Sequence, residues 1–100
     1  MKNEERGNTM NNERIHTGDI VQHFKRETLS PEDRNANKYL YKVWGVAIHS
    51  ETKEKYVVYQ GLYGDFEMYI RPYDMFMSKV DREKYPNIKQ EYRFEKVECL

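Results

Sequence analysis

The segment YLYKVWGVAI, Tyr39 to Ile48, decides the fold. Leu40, Trp44, Val46 and Ile48 share one parity, interrupted only by Lys42, and Tyr41, Val43, Gly45 and Ala47 share the other. Side chains alternate faces along a strand, so two largely apolar or small parities predict a central strand covered on both faces. Gly45 in its middle predicts a bulge or a sharp bend.

Working outward, the polar connector from His49 to Lys55 leads into a second strand, Tyr56 to Leu62, and the two form a hairpin. Gly64-Asp65 supplies the next turn. Glu67 to Arg71 pairs back, with Met68 and Ile70 on one face and Tyr69 and Arg71 on the other. Pro72 ends this strand because proline cannot donate to a ladder, and Pro72 to Met77 fits one helical turn. Tyr92 to Val97 reads as a closing strand. Upstream, Gly18-Asp19 is a turn and Ile20 to Phe24 a short first strand. In the polar loop Lys25 to Lys38, Ser30 is placed to cap a helical turn that has Pro31 at its first position. Residues 1–16 are too polar to offset their own ordering and read as a mobile segment. Residues 17–98 then form a single β-rich domain. The expected architecture is mainly β: a small curled five-stranded antiparallel sheet or an SH3-like partly open barrel, with at most one or two short helical turns. The barrel is the first choice, and a five-stranded sheet with one helix packed on it the second.

Composition agrees with this. A chain of 100 residues is one domain burying only ~60–65% of its unfolded surface. Its core must therefore be compact, and nine tyrosines and four phenylalanines supply bulky filling. Trp44, Tyr56, Phe76 and Phe94 are expected in that core. Basic and acidic residues balance at 17 each, so no overall charge draws the chain to nucleic acid or to an anionic membrane. The lone Cys99 cannot form an internal disulfide, and no apolar run is long enough for a membrane span. A cytoplasmic protein is expected. His16, His23 and His49 are too scattered for a zinc site, and neither a metal nor a cofactor is expected.

From His49-Ser50-Glu51-Thr52 onward the chain resembles the bacterial DUF1653 family. The resemblance is carried by that tetrapeptide, Val57-Val58-Tyr59, Leu62-Tyr63-Gly64, Arg71-Pro72 and Met75-Phe76. Gly18, His23-Phe24-Lys25 and Arg93-Phe94 extend it to about four fifths of the chain. Tyr69 stands where the family commonly has a tryptophan, which preserves a flat ring. The resemblance implies a small, mostly β domain of bacterial origin. It implies no activity, because the family is named for its unknown function.

Two groups of residues are candidates for a site. Arg71 among Tyr59, Tyr63 and Tyr69 would set a planar cation on an aromatic platform, suited to phosphate, carboxylate or a stacked base. The bland alternative pairs Arg71 with Glu67, Asp65 or Asp74, or bonds it to a loop carbonyl. His49 and Glu51, with Thr52 beside them, offer either a recognition or proton-transfer pair at a pocket mouth, or a hairpin connector whose Ser50 and Thr52 hydroxyls satisfy its own amides. The leading expectation is a non-enzymatic binding or interaction module for a small anionic ligand, a peptide or a protein partner. Nucleic-acid binding is the alternative, and needs Lys25, Arg26, Lys79, Arg82, Lys84 and Arg93 to converge on one face. A small enzyme using His49 and Glu51 is the second alternative. Open sheet edges also admit a homodimer.

Overall fold

The computed structural model describes residues 14–97. Five strands, β1 (Ile20–His23), β2 (Leu40–Ile48), β3 (Lys55–Gly61), β4 (Met68–Pro72) and β5 (Phe94–Lys96), make one antiparallel sheet in the order β4-β3-β2-β1-β5. β2 is the middle strand, as its length and apolar content require. β4 and β5 are the two margins and do not pair with each other, so the sheet is not closed into a barrel. It curls far enough, however, to bring the margins together over the core. The guanidinium of Arg71, on β4, lies 5.5 Å from the ring centroid of Phe94, on β5.

The concave face carries Val21, Tyr41, Val43, Val57, Tyr59 and Phe94, which with Ile15 and Phe76 form the main core. Phe76 stacks on Phe94 at 4.1 Å, and Tyr59 meets both rings edge-on. A smaller cluster of Phe24, Val80 and Ile88, with Tyr85 against it, sits beside the main core.

The helical pieces are short. Ser30 Oγ accepts the Asp33 amide at 3.3 Å and Pro31 starts helix α1 (Pro31–Asn35), as the loop sequence predicts. Helix α2 (Tyr73–Phe76) follows Pro72 directly and swings Phe76 into the core. A 3₁₀ turn, Phe24–Thr28, is the element missing from the sequence reading. It takes Phe24 out of the first strand, because His23 Nδ1 accepts the Lys25 amide at 3.1 Å and turns the chain there.

Three expectations need correction. β2 is covered on both faces only at its start, where Leu40 and Tyr41 are both buried. Trp44 is 49% exposed, and Met68 and Ile70 are exposed on the same convex side. The described helices are too short and too far round to cover that side. The predicted irregularity at Gly45 explains Trp44: the register with β3 shifts between Val43 and Gly45, so Trp44 is the extra residue of a bulge. Its indole Nε1 donates to Gln60 Oε1 at 2.9 Å and the Lys42 ammonium lies 4.6 Å from its ring. Tyr56 is only partly buried, and its hydroxyl reaches out to Glu54. Finally, Arg14 to His16 belong to the folded unit. Ile15 is fully buried, and Arg14 donates to the carbonyls of Phe94 and Met77. A single isoleucine in a polar stretch has no periodicity to reveal it. The rest of the expected mobile segment, and Cys99, lie outside the described residues.

Gly45 has φ +153°, a conformation L-residues avoid, yet a Cβ there would meet nothing closer than Thr17 Oγ1 at 3.9 Å. Gly45→Ala is therefore expected to cost about 1–3 kcal/mol through backbone strain alone, without steric collision. Urea unfolding measures it. A cost near zero would mean the bulge relaxes into regular pairing.

Candidate anion pocket

The β3–β4 register pairs Val57 with Arg71 and Tyr59 with Tyr69, which sets Arg71, Tyr59 and Tyr69 on the concave face together. Arg71 Nε donates to the Tyr59 hydroxyl at 3.0 Å. The Tyr59 and Tyr69 rings are 5.6 Å apart. Tyr63 belongs to the neighbouring ring cluster instead, its hydroxyl 2.9 Å from that of Tyr41. Burial, then this hydrogen bond, pushes the Tyr41 hydroxyl well above its ordinary pKa. Tyr59 is itself buried, so the rings around Arg71 serve packing first and leave only Tyr69 open at the margin.

Arg71 also lines a pocket of about 250 Å³ between the two sheet margins. Arg71 enters it from β4, Arg93 from the residue before β5, and Lys25 and Lys84 from the flanking loops. His23 and Phe24, at the end of β1, and Tyr85 line it as well. Asp81 is the single acidic residue of the lining. Its Oδ1 faces the amides of Glu83 and Lys84 and holds their turn. Arg93 Nε donates to the Met75 carbonyl at 3.1 Å and to Ser78 Oγ at 3.3 Å. Among the described residues no carboxylate lies within ion-pair distance of Arg71 or Arg93. The pairing of Arg71 with Glu67, Asp65 or Asp74 does not occur.

The electrostatics follow from this crowding. Burial, then the Arg71 charge, lowers the pKa of Arg93. His23 is pushed down to about 3, first by burial and then by Arg71, Arg93 and Lys25. The imidazole is therefore neutral in the folded protein near neutrality. As pH falls from the ordinary value near 6.5, the unfolded chain takes up this proton and the folded one does not. Stability is thus expected to drop with falling pH between about 6.5 and 3, by up to about 1.4 kcal/mol per unit from this group. NMR titration of the His23 ring checks it: a midpoint near 6.5 would contradict the assignment.

The remaining predicted residues sit elsewhere. His49, Glu51 and Thr52 are exposed on the β2–β3 connector. There His49 Nδ1 accepts the amides of Glu51 and Thr52 at 3.1 and 3.2 Å, and Thr52 Oγ1 accepts the Glu54 amide. These bonds shape a turn, and none of the three residues reaches the pocket. Of the six basic residues weighed for nucleic acid, Lys25, Lys84 and Arg93 do converge here. Arg26 is tied to the carbonyls of Lys38 and Arg34, Arg82 to those of Ile88 and Gln90, and Lys79 pairs with Glu91.

Sequence reasoning named Arg71 but missed His23, Lys25, Lys84, Tyr85 and Arg93 as its companions. The available signal lay in the resemblance, whose carriers His23-Phe24-Lys25, Arg71 and Arg93 supply five of the eight lining residues. Among the described residues, no three His, Cys, Asp or Glu side chains gather to hold a metal ion, and no helix is long and apolar enough to cross a membrane.

No curated protein and no solved structure matches the chain. The family model described as a protein of unknown function, DUF1653, matches residues 19–96, a span that holds all five strands and every residue of the pocket. The chain belongs to the DUF1653 family.

Proposed function

We propose that this domain is a binding module for a small anionic ligand, seated in the pocket between the sheet margins. One observation carries the reading. Arg71 and Arg93, from opposite margins, share a partly buried pocket, and no carboxylate among the described residues pairs with either. Like charges brought together out of bulk water oppose folding, and binding an anion between them would relieve that cost. The guanidinium is the side chain whose flat fork of donors matches carboxylate and phosphate. The aromatic platform becomes the wall behind Arg71, with Tyr59 fixing its Nε.

Titration with inorganic phosphate and citrate, followed by thermal unfolding, tests this. A ligand that binds only the native state stabilises it by RT ln(1 + [L]/Kd), about 2.7 kcal/mol at a hundred times Kd. The midpoint is expected to rise with anion concentration in the native chain and not in Arg71→Gln. An equal rise in both would place the effect elsewhere on the surface.

A further inference from the structure

His23 is the group in the pocket whose position an anion in general does not explain. It is 8% exposed, and among the described residues its ring makes one hydrogen bond, accepting the Lys25 amide at Nδ1. In the neutral imidazole the proton then sits on Nε2. Nε2–H has no acceptor among the described residues. A buried donor without a protein partner is costly, and one in a pocket lining is suited to donate to a ligand oxygen. His23 is part of the lining that also holds two guanidiniums. The charges facing it are Lys25 on its own segment, Arg71 from β4, Arg93 before β5, and Asp81 and Lys84 from the following loop. Tyr39 and Phe94 pack on its ring and carry no charge.

We propose that the pocket takes a small phosphate monoester in its dianionic form, with Arg71 and Arg93 on its oxygens and the Nε2–H of neutral His23 completing the cage. This rests on the anion-binding reading above and names its ligand class. Two guanidiniums, two ammoniums and one carboxylate leave a positive excess that a single carboxylate does not neutralise. Three converging donor groups suit a tetrahedral group with three free oxygens better than a planar one with two. The pocket is also larger than one such group needs. Tyr85, edge-on to Phe24 at 4.8 Å, gives the ester substituent an apolar wall. A phosphodiester tract carries one charge per phosphate and lacks the third free oxygen, so a nucleic-acid backbone fits less well.

The experiment uses the full chain and four probes: phenyl phosphate, sulfate, benzoate, and an oligonucleotide without terminal phosphate. Binding is read from the Nε–H NMR signals of Arg71 and Arg93. Phenyl phosphate is expected to bind best. Its affinity should rise about tenfold between pH 5 and 7, following its own second ionisation near 6. Sulfate, a dianion throughout, should show no such rise. A cationic His23 would give sulfate an affinity that falls as pH rises and would flatten the rise for phenyl phosphate. That pattern, equal binding by benzoate, or equal competition by the oligonucleotide would each overturn the proposal while leaving an anion site in place. No response of either arginine to any probe would instead remove the anion-binding reading itself. His23→Gln, which keeps an N–H donor, is expected to bind phenyl phosphate better than His23→Leu. Equal affinities would remove His23 from the cage, and the pH comparison stands even where these variants fold poorly.

Discussion

Phe94→Ala is expected to bring this domain close to unfolding at room temperature. The ring is 1% exposed and is the hub of the core. It stacks on Phe76 at 4.1 Å, meets Tyr41 and Tyr59 edge-on, and lies under the Arg71 guanidinium. Truncating a buried phenylalanine costs about 3–5 kcal/mol, the lost transfer energy plus the cavity left behind. A domain of this size has a total of about 5–15 kcal/mol to lose. Because Phe94 joins one sheet margin to the inner layer of the other, the cavity cannot be filled by a local shift. Urea denaturation reads the loss. Ile70→Thr, on the exposed convex side, serves as the comparison and is expected to stay within about 0.5 kcal/mol of the parent. Similar losses for the two would show that the concave face is not the core.

The second large effect separates function from folding. Arg71→Gln with Arg93→Gln is expected to weaken phosphate binding at least about a hundredfold. A hydrogen bond to a charged group is worth about 1.5–3 kcal/mol, and two are lost together. The unliganded fold is expected to change far less. Each glutamine removes a positive charge from a crowded pocket, which offsets the lost contacts to Tyr59, Met75 and Ser78. His49→Ala, in the turn on the far connector, is expected to leave binding unchanged. Calorimetric titration with phosphate gives the affinities, and thermal unfolding without ligand gives the stabilities. If the double variant loses stability but keeps its affinity, the arginines are structural and the pocket is not the site.

Strand positions were legible in the sequence because they rest on local rules. Alternation marked β2 to β4, Pro72 stopped β4, Ser30-Pro31 opened α1, and Gly45 announced a bulge. What the alternation did not carry was coverage. The apolar parity containing Trp44 matches that of a strand packed on both sides, yet only Leu40 of it is buried, and the bulge leaves Trp44 on the open side. Ile15 was invisible for a similar reason, since one residue makes no period. For the site, Arg71 and its β4 neighbour Tyr69 were readable from parity, and Tyr59 needed the hairpin register. His23 and Arg93 lie far from Arg71 along the chain and meet it only because the sheet curls. That curl is set by the concave packing of Phe76, Phe94 and Tyr59, a long-range result no local pattern encodes.

The gap between β4 and β5 also bears on how the domain resists opening. In a closed barrel, backbone hydrogen bonds would lock the first margin to the last. Here that locking is left to side chains, so the margins are the natural place for the molecule to breathe. An anion bound as proposed, spanning Arg71 and Arg93, would act as a fastener across this slit. Its arrival should slow amide hydrogen exchange in both outermost strands at once and leave the middle of β2 almost unaltered.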